Sequence, residues 1–75
     1  NVCIALGNSQ NTKAIPKLKK VLKEETSIIK IHAAWALGQI GGTTAYQTLK
    51  SAYVKEKSEE VKQEISLSLK DIELR

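Results

Sequence analysis

The sequence predicts an all-α fold, an α-solenoid of helical hairpins: about two repeats behind a truncated N-terminal helix. One observation is helical: apolar residues recur every three or four positions in segments separated by short Gly, Asn, Ser and Thr breakers. The other is internal repetition. Ala5-Leu6-Gly7 matches Ala36-Leu37-Gly38 at a spacing of 31, and at that offset Ala14, Leu18 and Leu22 fall on Ala45, Leu49 and Tyr53. One residue is then gained, and at 32 Ile29-Lys30 falls on Val61-Lys62, Ala33 on Ile65, Leu37 on Leu69 and Ile40 on Ile72. Matches in both members of a helix pair divide the chain into a remnant inner helix (1–9), a first repeat (10–42) and a second (43–75).

The remnant helix Asn1–Gly7 closes at Gly7-Asn8-Ser9, residues that stop helices. The next helix is expected over Lys13–Glu25, capped by Asn11 or Thr12, with Pro16 harmless in the first turn, whose amides have no helical acceptors. A third is expected over Ile28–Ile40, capped by Thr26 or Ser27 and stopped by Gly41-Gly42. A fourth is expected to begin after Thr43 or Thr44 and reach Lys55 or Glu56. The last starts at Ser58, carries Glu59 and Glu60 where the helix dipole favours anions, and ends near Glu73. No segment reads as a strand.

The helix that contains HAAWALGQIGG (His32–Gly42) is apolar nearly all round. Ile29, Ala33, Ala36, Leu37 and Ile40 form one face, while Ile31, Ala34 and Gly38 occupy the side where a surface helix would be polar. Such a helix is buried on several sides, the position of an inner helix between its hairpin partner and its neighbours. Ala34 and Gly38 allow close approach between repeats, and Trp35 fills a larger gap. Its polar positions are Lys30 on one edge and His32 with Gln39 on the other. By contrast, Ala14, Leu18, Val21 and Leu22 make a narrow stripe flanked by lysines, the pattern of an outer helix.

Composition excludes several classes. The lone Cys3 forms no internal disulfide and cannot by itself hold zinc or an iron–sulfur cluster; Val2 and Ile4 beside it suggest a buried thiol. No apolar run reaches the ~20 residues of a membrane span, so a cytoplasmic chain is expected. From the opening at Asn1 on an apolar run, a piece of a longer chain is expected. The net charge of +4 is uneven: +3 over residues 1–25, +2 over 26–50 and −1 over 51–75, which favours a polyanion meeting the front of the chain.

HAAWALG (His32–Gly38), read with IALGNSQNTKAIPKLKKVL (Ile4–Leu22), resembles the HEAT-like repeats at the C-terminus of the epoxyqueuosine reductases. Gln10 stands where that family usually has Gly, and Lys30 where it usually has Arg, which keeps the charge but loses the planar fork. Glu64 occupies the place of His32 in the second repeat. The resembled enzymes use cobalamin and iron–sulfur clusters to remove the epoxide oxygen of epoxyqueuosine at the wobble position of transfer RNA. The resemblance implies a non-catalytic accessory domain with no cofactor of its own. Its implied partners are the anticodon stem–loop of transfer RNA and, in cis, the parent catalytic domain.

The sequence offers no catalytic residue: no Gly-rich phosphate loop follows a strand, and no nucleophile has a visible base. The candidate RNA-phosphate contacts are Lys30 and Lys62, equivalent positions near two helix N-termini that stacking would align on one ridge, together with His32. Set against them, Lys30 can snorkel to water and a lone His more often fixes a neighbouring loop. Trp35 is a packing residue first and a base platform second. Lys13, Lys17 and Lys20, with Lys19 and Lys23 beside them, form the densest positive cluster, which is either a solvated face or a second RNA surface. A metal site is not expected. The competing functions are a protein-interaction scaffold docking through the apolar layers and, more distantly, a bilin lyase of the phycobilisome type. Any dimer formed through the severed first helix would not be physiological.

Overall fold

A computed structural model describes residues 12–74. The expected remnant helix Asn1–Gly7, its Gly7-Asn8-Ser9 stop, the Asn11 cap and Cys3 lie outside the described residues. A 3-10 turn, Thr12–Ala14, leads into α1 (Ile15–Glu24), followed by α2 (Ser27–Ile40), α3 (Gly42–Lys55) and α4 (Glu59–Glu73). No strand is present among the described residues.

Two starts differ from the sequence expectation by more than one residue. The regular part of α1 begins at Ile15 instead of Lys13, with a 3-10 turn before it. Pro16 sits in the first turn and has no N–H to return to Thr12, so the α-helical ladder cannot extend back through it. α3 begins at Gly42, ahead of the expected start after Thr43 or Thr44. Gly41 (φ 70°, ψ −168°) and Gly42 (φ 83°) both take positive φ and make the turn with their backbones, so no side-chain cap is used. Gly41 also closes α2, its N–H donating to the carbonyl of Leu37 at 3.0 Å.

The other boundaries follow the caps. Thr26 is the N-cap of α2 through its carbonyl, which accepts from Lys30 N–H at 2.9 Å, while its side chain makes no capping bond. Ser58 caps α4 with its hydroxyl, which accepts from Val61 N–H at 3.5 Å, and Glu59 and Glu60 follow in the first turn, where the dipole favours them.

The helices form two layers. α2 and α4 make the most extensive helix–helix contact; α1 packs on α2 and α3 on α4 as hairpins, and α1 touches α3 in the outer layer. Ala14 of the 3-10 turn, Leu18 and Leu22 of α1 and Ala45 and Leu49 of α3 point into the core, where Leu18 and Leu49 are fully buried. They meet Ala33, Ala36 and Leu37 of α2 and Val61 and Ile65 of α4. Full burial of each of the large aliphatics Leu18, Leu37, Leu49 and Ile65 contributes about 1.5–3 kcal/mol. Ile15, outside the expected stripe, is buried as well. Trp35 is half-buried against the same cluster.

The inner layer is close. A Cβ built on Gly38 of α2 would lie 3.0 Å from Ser68 Cβ and 3.1 Å from its Oγ, and Ser68 of α4 is itself buried. Glycine at 38 sets how near these helices stand.

Candidate functional site

Lys30 is in the first turn of α2, half-buried, and its ammonium turns toward the loop that joins α3 to α4. Its Nζ donates to Oε1 of Glu56 at 3.0 Å and to Oε2 at 3.1 Å. The same carboxylate accepts from the backbone N–H groups of Lys57 (3.1 Å) and Ser58 (3.0 Å). The two side chains are 18% and 6% exposed. Burial by itself pushes the Glu56 carboxyl up. The Ser58 N–H, the hydrogen bond and charge of Lys30, and the Lys57 N–H together outweigh it and hold the group below the ordinary carboxylate value. Glu56 thus ties the first hairpin's inner helix to the second hairpin's turn, and its charge is spent inward.

Lys62 occupies the equivalent place on α4, where its ammonium lies 5.3 Å from the centroid of Tyr53, a cation–π contact. Tyr53, Lys62, Leu67 and Lys70 line a shallow groove between α3 and α4, with Tyr53 41% and Leu67 52% exposed. Lys30 and Lys62 therefore stand on packed inner helices, one held by a carboxylate and the other by a ring. His32 is half-buried on α2 and is not a free side chain. Ala34 is fully buried, and Gly38 lies against Ser68.

In the outer layer, Lys13, Lys17 and Lys20 are all exposed. They do not line the cleft that opens between α1 and α3, a space of about 330 Å³. Lys19 and Lys23 of α1 form one wall, Lys55 and Lys57 the other, and Leu22 with Ala52 the apolar floor; the Lys30–Glu56 pair closes one end. Lys17, Lys19, Lys20, Lys23, Lys55 and Lys57 are exposed and take part in no ion pair among the described residues.

Sequence reasoning missed Glu56, Lys55 and Lys57. The signal for Glu56 was present: Glu25 and Glu56 are 31 apart, at the repeat spacing, and each is the C-cap of its outer helix. Lys55 and Lys57 carried no pattern of their own and acquire meaning only when α3 packs beside α1.

Among the described residues no group of three or more His, Cys, Asp or Glu side chains is placed to hold a metal ion. No described helix is long and apolar enough to cross a membrane.

The HEAT repeats family matches residues 1–70. The chain belongs to the HEAT-repeat family. Its hairpins are similar to known relatives. An uncharacterized protein in the gldA 3′ region of Geobacillus stearothermophilus is 42% identical over 66 residues, spanning 87% of this chain and 31% of that protein. Epoxyqueuosine reductase of Bacillus subtilis (strain 168) is 39% identical over 75 residues, 99% of this chain and 19% of that one. A crystal structure of selenomethionine-labelled epoxyqueuosine reductase superposes with a TM-score of 0.85 at 32% identity, over 93% of this chain and 19% of that chain. The HEAT repeats here thus span less than a third of these relatives' own length.

Proposed function

We propose that this HEAT-repeat pair is a non-catalytic accessory domain of an epoxyqueuosine reductase-like protein, and that it helps hold transfer RNA at the anticodon stem–loop through backbone phosphates. The observation that carries the reading is the outer layer. Lys17, Lys19, Lys20 and Lys23 on α1 and Lys55 and Lys57 at the end of α3 are exposed and unpaired among the described residues. The one carboxylate that lines their cleft, Glu56, is saturated from within. Such a surface meets phosphates by charge and shape and leaves sequence to be read elsewhere. The likeness to epoxyqueuosine reductase supports RNA as the polyanion met by this face, and a cytoplasmic location goes with that reading. The cobalamin and iron–sulfur chemistry of that enzyme would belong to a catalytic domain in cis.

The structure shifts the weight within the candidate contacts. On the inner ridge, Lys30 would have to leave Glu56 and Lys62 would have to leave Tyr53 to reach a phosphate, whereas Lys17 and Lys20 have nothing to give up. The test is a salt titration of binding to an anticodon stem–loop, with Lys17→Glu/Lys20→Glu and Lys30→Glu/Lys62→Glu variants beside the unmodified chain. Binding that falls with salt and drops most in the α1 variant supports the reading. A greater drop in the Lys30/Lys62 variant, with its fold verified, moves the contact to the inner ridge. Absence of binding at low salt overturns the RNA role.

A second reading is favoured by the exposed side chains of Tyr53 and Leu67 in the groove between α3 and α4, which Lys62 and Lys70 also line. There the domain would dock protein, the parent catalytic domain included, with little dependence on salt.

A further inference from the structure

We propose that the cleft between the C-terminal turns of α1 and α3 is a phosphate site of single-nucleotide size, filled by a free nucleotide or by an unpaired nucleotide of an RNA strand. The proposal deepens the RNA reading and rests on it in taking this face as the one that meets phosphates; it adds which residues form the site and what fits it.

Size and lining come first. The space of about 330 Å³ is at the small end of ligand sites. Leu22 and Ala52 give it an apolar floor against which a base or ribose can lie. Thr48 and Ser51 add hydroxyls, and the Thr48 hydroxyl already donates to the carbonyl of Thr44 at 2.8 Å, so toward the cleft it offers lone pairs. An acceptor there suits a ribose hydroxyl or a base amine.

Charge decides the rest. Lys19 and Lys23 face Lys55 and Lys57 across the opening, and ammonium groups on opposite walls repel one another unless an anion lies between them. Glu56 does not serve, because its oxygens are taken by Lys30 and by two backbone N–H groups. The C-terminal ends of α1 and α3 carry partial negative charge, which opposes an anion. Whole charges on four side chains exceed those two partial ones, so the net field in the cleft is positive. The combination of four convergent cations and an apolar floor fits a phosphate ester with a compact organic body better than it fits inorganic phosphate.

The experiment is NMR titration of the 15N-labelled chain with AMP, with adenosine, and separately with an anticodon stem–loop. Lys19→Glu/Lys55→Glu tests the cleft, Lys23→Gln/Lys57→Gln tests it with a milder change, and Lys17→Glu/Lys20→Glu removes equal charge outside it. The expected result is that AMP, and not adenosine, moves the amides of Thr48, Ser51 and Ala52. Its affinity should fall about tenfold in Lys19→Glu/Lys55→Glu and by less than about twofold in the outside variant. If the stem–loop moves the same amides, the site takes a nucleotide of the strand. If AMP alone does, the site takes free nucleotide and the RNA reading falls while the cleft stands. Stem–loop binding with silent cleft amides and no response to AMP overturns the cleft and leaves the RNA reading. Equal loss of AMP in both Glu variants also overturns it.

Discussion

Lys30 and Glu56, 26 positions apart in sequence, are joined across the boundary between the hairpins by hydrogen bonds of 3.0 and 3.1 Å from one ammonium to both oxygens of one carboxylate. The carboxylate does more than pair. It also accepts from the N–H groups of Lys57 and Ser58, which fixes the turn into α4 and presents the Ser58 cap.

The two ends of this pair are therefore unequal. Glu56→Ala strands a part-buried ammonium and two backbone donors and is expected to cost about 2–3 kcal/mol of stability. Lys30→Met keeps the loop bonds and much of the packing and should cost about 1 kcal/mol. Urea unfolding of both variants and of the double variant measures this. Equal losses in the two single variants would show that the loop bonds contribute nothing beyond the ion pair.

Acid should undo the same contact. The folded-state pKa of Glu56 lies below its ordinary value of 4.5, so the unfolded chain binds the proton more readily. Its stabilising contribution is complete above about pH 4.5 and is lost as the pH falls through the lower, folded value. Melting temperatures of the unmodified chain and Glu56→Gln, recorded from neutral pH downward, should converge below pH 4.5. A constant gap at all pH values would exclude Glu56 as the titrating group.

Gly38→Ala puts a methyl 3.0 Å from Ser68 Cβ and 3.3 Å from its Cα, on a buried helix that can yield only by moving. Overpacking of about 1–3 kcal/mol should outweigh the gain of about 1 kcal/mol in helix propensity. Ser68→Gly removes the obstacle, so the double variant is expected to lose less than the two single variants summed. Additive losses would mean that the helices do not meet at these residues.

At the hairpin turn, Gly41→Ala forces a side chain into φ 70°, ψ −168°, a region that is almost glycine's alone. The expected cost is about 1–3 kcal/mol, read as a drop in thermal midpoint with the helical circular dichroism of the folded state retained. Thr43→Ala and Thr44→Ala, at the residues after which the sequence placed the helix start, should each change stability by less than about 0.5 kcal/mol, because α3 uses no side-chain cap.

The layered arrangement was legible because periodicity and repetition are local in their bookkeeping: Leu18 and Leu49, or Lys30 and Lys62, can be matched by counting. The start of α4 was legible, where the Ser58 side chain performs the capping, and the start of α3 was misplaced, where the backbones of Gly41 and Gly42 make the turn. Pro16 was read correctly as a first-turn residue, but the 3-10 turn its missing N–H leaves behind was not anticipated. The site was harder. Lys30 looked like an open cation on a ridge because its partner comes from the next repeat's turn, and the sign of Glu56 in the sequence was its repeat spacing from Glu25. The cleft needs two outer helices side by side before Lys23 and Lys57 can line one space.

The approach of Gly38 to Ser68 has a consequence for shape. With the inner helices nearly touching while a cleft of about 330 Å³ separates parts of the outer ones, the pair of hairpins is a wedge, narrow at α2 and α4 and broad at α1 and α3. Wedges laid side by side make an arc, and its radius depends on the difference between the two spacings. A larger residue at position 38 would straighten that arc and, by the same lever, pinch the outer opening. The bulk of one inner side chain thus governs a distance on the far side of the molecule.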